Sequence, residues 1–432
     1  MRKAARTAVA GLLLTMAAAC GGTPSGGGAT PSGGGATPSG GAMTGRGPIT
    51  LATGKDTSRN LQNQVDAWNK GHPDEQARIV ELPESADVQR DQMIQNARAK
   101  SDAFTVLALD VVWTSEFAAN RWILPLPQEQ FDLAAFLPPT VATGQYRGRL
   151  YAAPWKTDAG LLYYRKDLLD KAGVKEPPKT WREMEADCAK VPGVSCFAGQ
   201  YEKYEGLTCN FAEAVNSAGG TIVDPATGRP DVDTPAAKHG LDFLVDGFRT
   251  GLIPKQAITF KEEEGRRYFQ EGRLLFHRQW PYQYALADRH DGSSKVAGRF
   301  AVAPLPGLNG PGVPTLGGHN LAVSAFAGNR ASALDFVTFL SSEERQRANL
   351  LASSEAPTRA ALYDEPELQA KYPYLKVLKE SVLNAKPRPQ VVRYGDVTAA
   401  IQEAAYAAIT GARPSGQVLA DLQTKLQTLT RS

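Results

Sequence analysis

The 432-residue chain has only four cysteines and five histidines, and neither set is spaced to hold a metal. No Cys-x-x-Cys occurs, and the histidines at 72, 239, 277, 290 and 319 are scattered. The chain also lacks a Gly-x-Ser-x-Gly elbow, a P-loop, a dinucleotide-binding glycine fingerprint and a His-Glu-x-x-His motif. Serine hydrolase, nucleotide-driven and zinc-peptidase chemistry are therefore not indicated, and no cofactor or metal is expected. An excess of charge is missing too: 48 Lys and Arg stand against 45 Asp and Glu, a formal net charge of +3. Nucleic acid is a poor partner for such a chain, because phosphate binding needs a basic excess on one face. After residue 19 no apolar run reaches membrane-spanning length. Glycoside hydrolysis is the enzymatic reading that survives, since it needs only two carboxylates, here Asp110 and Asp158.

The first residues are the most distinctive part of what is present. Arg2, Lys3 and Arg6 precede an apolar stretch from Val9 to Ala19, too short to cross a bilayer and ending in small residues. This is the pattern of an export signal. Ala17-Ala-Ala-Cys20 followed by Gly21-Gly22 resembles a bacterial lipobox, with Cys20 the lipidated first residue of the mature chain. The alternative is an ordinary cut after Ala19. From Cys20 the chain repeats Thr-Pro-Ser-Gly-Gly with no large apolar side chain until Met43, a flexible tether with an r.m.s. span of roughly 28 Å. Two or three acyl chains would anchor a folded body to the membrane surface.

Residues 48–432 have ordinary globular composition and enough length for two lobes. Leu61, Val65 and Trp68 share a helical face that ends near Gly71, and strands are expected at Ile49–Ala52, Ile79–Leu82 and Phe104–Leu109. A second helix carries Val88, Ile94 and Ala97. The alternation predicts a mostly parallel sheet with helices on its faces. Further on, a strand at Leu161–Tyr164, a capping box Thr180-Trp-Arg-Glu183, a helix over 235–250 and strands near Leu274–Phe276 and Arg299–Ala303 lead into a mainly helical last hundred residues. Cys188, Cys196 and Cys209 are an odd number for an oxidising compartment. Either Cys188 bridges Cys196 and leaves Cys209 free, or all three are buried thiols.

Five segments then appear in order: Leu109-Asp-Val-Val-Trp-Thr-Ser-Glu-Phe-Ala-Ala119, Ala153-Pro-Trp-Lys-Thr-Asp-Ala-Gly-Leu-Leu-Tyr-Tyr-Arg165, Tyr204-Glu-Gly-Leu-Thr208, Gln279-Trp-Pro-Tyr282 and Thr315-Leu-Gly-Gly-His-Asn-Leu-Ala322. Together they resemble the family 1 extracellular solute-binding proteins of ABC importers, above all the trehalose/maltose-binding branch. The resemblance covers essentially the whole mature chain. It implies an α/β, two-lobed, type II periplasmic-binding-protein fold (a Venus flytrap) with three interlobe crossovers, near 156, 305 and 356. The expected divisions are a signal peptide (1–19), a lipidated cysteine and tether (20–47), an N-terminal lobe (48–156 with 306–356) and a C-terminal lobe (157–305 with 357–432). It further implies a monomer that is no enzyme, held outside the cell membrane by lipid on Cys20, that binds an α-linked disaccharide between the lobes and delivers it to the permease's transmembrane subunits.

The residue types agree. A disaccharide offers hydroxyls around flat apolar ring faces, so its site needs charged acceptors and stacking aromatics. Asp110 sits just beyond an apolar strand, where open α/β sheets bind ligands, or it caps the next helix. Asp158 lies in a Pro-containing crossover segment, with an Asx turn as the alternative. Trp280 and Tyr282 flank Pro281 and resemble the family's stacking platform. Gly317 and Gly318 allow close backbone approach to a ligand or simply make a turn. His319 departs from the family, where many relatives carry Trp. Arg90, Asp56, Glu205, Glu262 and Arg393 complete the candidate ligand contacts. Their alternatives are surface charge for Arg90, a solvated loop or face for Asp56 and Glu262, and a helix cap for Glu205. A same-fold binder of a non-sugar such as a polyamine is disfavoured by the Asp and Trp-Pro-Tyr matches.

Overall fold

The computed structural model describes residues 43–56, 60–224 and 227–430. The expected signal peptide, Cys20 and most of the tether lie outside them. The strands are β1 (Ile49–Thr53), β2 (Ala77–Glu81), β3 (Val106–Asp110), β4 (Gln145–Tyr146), β5 (Arg149–Leu150), β6 (Ala152–Ala159), β7 (Leu161–Tyr164), β8 (Ser195–Ala198), β9 (Leu274–Gln279), β10 (Ala301–Ala303), β11 (Thr315–Val323) and β12 (Lys386–Pro387). They form one sheet in the order β12-β11-β3-β1-β2 with β6 on the other edge of β11, a second sheet β10-β7-β9-β8, and the small hairpin β4-β5.

The local expectations hold where a face is apolar at the right period. Leu61, Val65 and Trp68 are buried on the helix Leu61–Gly71. In β3, Val106 and Ala108 join one core while Leu107 and Leu109 join another, so the run is apolar throughout because helices cover both faces of the sheet. Thr180 and Glu183 exchange both capping-box hydrogen bonds, and the helix Pro235–Thr250 starts on a Thr234 cap and stops at Gly251 in the left-handed region. The mostly parallel sheet is corrected. β1 is parallel to β2 and β3, but β11 is antiparallel to both β3 and β6, and β7 is antiparallel to β9 and β10. Both sheets are mixed because β6 leaves the first sheet as β11 enters it, so the pair runs in opposite directions.

These strands join the sheets. The chain passes from β6 through Gly160 into β7 of the second sheet, and from β10 back into β11 of the first. The segment around residue 356 runs beside β6: Thr157 N–H donates to the Ala356 carbonyl at 3.0 Å, and Lys156 forms a β-bridge with Pro357. No helix among the described residues is long and apolar enough to cross a membrane.

Cys188 is bonded to Cys196, eight residues on, and Cys209 is a buried free thiol. Cross-linking so short a loop removes about 2–3 kcal/mol of unfolded-state freedom. Replacing both bonded cysteines by serine is expected to lower stability by that amount, read from the shift in the urea unfolding midpoint.

Candidate ligand-binding cleft

A cavity of about 190 Å³ lies between the carboxyl end of β3, the β6–β11 pair and the first turns of the helices Glu205–Ser217 and Glu262–Gln270. A larger hollow of about 520 Å³ beside Met43 is open surface, and its Arg46 is already bonded to Glu75 and Asp335. The smaller cavity is where polar groups converge.

Its floor is β11. His319 stands in register with Asp110 of β3 on one side and Lys156 of β6 on the other. The β6 register slips next to His319, a bulge of the kind that redirects side chains at sites. Gly318 has φ +110°, and a Cβ there would lie 2.3 Å from the Lys156 carbonyl oxygen. A Cβ on Gly317 would lie 3.1 Å from the Trp280 ring. The glycine pair thus lets strand and indole approach the β11 backbone.

A buried arginine organises one end. Arg388, 2% exposed, donates from Nη2 to Asp110 Oδ1 at 2.7 Å and from Nη1 to Glu205. Glu205 also accepts from the Tyr394 hydroxyl and, at 2.7 Å, from Thr398 Oγ1. Burial pushes its carboxyl up to about 7 against the pull of Arg388. Both Glu205 oxygens are therefore taken by protein, and its work is to hold Arg388. Asp110 Oδ1 also accepts the Val112 N–H at 3.2 Å.

At the other end Lys156 donates to Glu355 Oε1 at 2.8 Å, and Asn349 donates to its Oε2 at 2.6 Å. Asp158 makes no hydrogen bond or ion pair among the described residues. Burial raises its carboxyl to about 7; Glu355 and Asp110 add to this while Lys156 and Arg278 oppose it. Burial, with Lys156, lowers His319 to about 4, so the ring is neutral at pH 7, and its buried Nδ1 has no hydrogen-bond partner among the described residues.

The aromatic wall comes from the second sheet. Trp280 follows β9, and the Tyr282 hydroxyl donates to Glu263 Oε1 at 2.9 Å. Burial raises the Glu262 carboxyl as well. A neutral imidazole, an indole and one carboxylate, Asp158, with no donor among the described residues suit a polyhydroxylated ligand better than an anion.

Of the candidates, Asp110, Asp158, Glu205, Glu262, Trp280, Tyr282, Gly317, Gly318 and His319 line this cavity. Three do not. Asp56 sits in a small adjoining hollow, where its Oδ2 accepts the Leu61 N–H at 2.8 Å and holds the start of that helix. Arg90 is engaged by Glu116 through two bonds of 2.7 and 2.6 Å. Arg393 points outward, 54% exposed, to Asp396. Sequence reasoning chose Arg393 and passed over Arg388 in the same Pro387-Arg-Pro segment; an arginine held between prolines was the available signal. Lys156, Tyr204 and Glu355 were also missed. Lys156 is two residues from Asp158 on one strand and so shares its face, whereas nothing near Glu355 marks it.

Residues 52–347 match the family described as bacterial extracellular solute-binding protein. The chain belongs to that family. A probable ABC transporter-binding protein of Deinococcus radiodurans is 34% identical over 375 residues, 84% of this chain and 88% of the relative. A mannitol-binding protein of Pseudomonas aeruginosa is 25% identical, covering 78% of this chain and 80% of its own. The maltose-bound MalE3 of T. maritima superposes with a TM-score of 0.84 at 34% identity, covering 88% of this chain and 99% of that one. The fold is accordingly the two-lobed type II architecture of the solute-binding proteins, a family of binding subunits for ABC transporters rather than enzymes.

The Asp158 shift fixes the sign of a pH effect for this solute-binding protein. Its folded pKa lies above the unfolded value, so its stabilising contribution is complete below about pH 4 and is lost as pH rises through about 7. Asp158→Asn is expected to be more stable than the parent at pH 8, by on the order of 2 kcal/mol, with the difference gone at pH 4. Thermal melts of the ligand-free proteins across that range check it.

Proposed function

We propose that this chain is the binding subunit of an ABC sugar importer that captures an α-linked disaccharide, trehalose or maltose, in the cleft of Asp110, Asp158, Trp280, His319 and Arg388. The observation that carries the reading is the placement of an indole face beside Asp158, a carboxylate with no donor among the described residues. Sugar hydroxyls supply such donors, and the C–H face of a ring covers the indole. The likeness to the maltose-bound T. maritima protein supports the same class of ligand. Sugar would bind one lobe first, and its contacts with the other would favour closure. The closed form would dock on the permease as a monomer, tethered outside the cell membrane through lipidated Cys20.

A second reading is a single sugar alcohol. The cavity volume of about 190 Å³ falls below the ~300–1,000 Å³ usual for small-molecule sites, and one relative is a mannitol-binding protein.

Calorimetric titration with trehalose, maltose and mannitol separates the two. A micromolar Kd, about −8 kcal/mol, is expected for trehalose or maltose, with Trp280→Ala weakening it at least tenfold. Binding of mannitol alone would transfer the assignment to the polyol, and no binding of any of the three would remove both.

A further inference from the structure

Arg278 on β9 is buried, 1% exposed, and no expectation from the sequence involves it. It donates from Nε to Glu213 Oε2 and from Nη2 to Glu213 Oε1, both at 2.6 Å, and from Nη1 to Gln200 Oε1 at 2.9 Å. Two parallel bonds and a third fix the plane of the guanidinium. That plane lies against Trp280, with its central carbon 3.7 Å from the ring centroid. One side of the indole is therefore held by a group that cannot rotate, and Gly317 leaves room at its edge.

Glu213 has a second set of neighbours. Its Oε1 accepts the N–H of Thr315, the first residue of β11, at 3.0 Å. The same oxygen lies 2.1 Å from where a Cβ on Gly160 would be, in the link between β6 and β7. One carboxylate thus touches both strands that pass between the sheets and also fixes the guanidinium under the indole. A buried ion pair of this kind contributes little net stability but a good deal of orientation.

We propose that Glu213 and Arg278 are positioning residues for the ligand platform. They set the angle of the Trp280 ring and couple it to the interlobe strands, so that the stacking face is presented when β6 and β11 adopt the arrangement seen here. The inference rests on the cleft being the ligand site.

The test is a double-mutant cycle in the full chain, with maltose and trehalose as probes. Arg278→Lys keeps the charge but loses the fork and the flat stacking surface. It is expected to weaken binding at least tenfold in the parent and less than twofold in a Trp280→Ala background. Near-ultraviolet circular dichroism of the ligand-free protein provides an independent readout. The Trp280 band, defined by difference from Trp280→Phe, should disappear in Arg278→Lys. Should that variant fail to fold, Glu213→Gln, which retains an acceptor for Thr315, takes its place with the same expectations. Equal losses of affinity in both backgrounds, or an unchanged Trp280 band, would overturn the proposal. If the parent binds neither sugar, the disaccharide reading fails by itself, and the Trp280 band alone decides the positioning role.

Discussion

The antiparallel ladder between β6 and β11 is the element on which the rest depends. It pairs Ala152–Ala159 with Leu316–Ala322 and carries the chain out of one sheet and back from the other. Lys156, Asp158, Gly317, Gly318 and His319 all lie on it. β3 occupies the part of the β11 edge beyond His319, and β12 takes the part that β3 leaves. Asp110 at the end of β3 and Arg388 after β12 meet there as a consequence. A one-residue slip in this ladder would turn each side chain to the opposite face and empty the cleft of its polar groups.

The electrostatics follow from the same arrangement. Acids outnumber bases in the cleft, and the protein compensates three of them with two cations: Arg388 serves Asp110 and Glu205, and Lys156 serves Glu355. Burying such pairs returns little net free energy, because desolvation offsets their attraction. What they supply is direction. Asp158 has no donor among the described residues, and its raised pKa expresses the cost of ionising such a carboxylate. Asparagine would remove that cost together with the acceptor that a hydroxyl would use. Under the proposed function, stability and binding would thus oppose each other at this position.

Much of the fold was legible because local rules and the tertiary structure agreed. The helix of Leu61, Val65 and Trp68, the Thr180 capping box and the strand ending at Asp110 each follow from period or cap chemistry over a few residues. Strand direction was not legible. Antiparallel entry of β11 beside β3 depends on a chain reversal some two hundred residues later, which no local window contains. Asp110, Asp158 and Trp280, which line the cavity, were legible as candidates because each follows a readable strand or segment. Arg388 was missed because its burial comes from a two-residue strand, Lys386–Pro387, too short for any periodic signal.

The sequence by itself determined the family and the kinds of side chain presented to the cleft, since both rest on residue identity within short segments. The tertiary structure alone decided which acids are satisfied by protein and which have no donor among the described residues. Glu205 and Asp158 look alike as acidic residues in family segments. Glu205 is enclosed by Arg388, Tyr394 and Thr398, brought from nearly two hundred residues away, whereas Asp158 meets no donor among the described residues. That difference is set by long-range packing, and only the folded chain contains it.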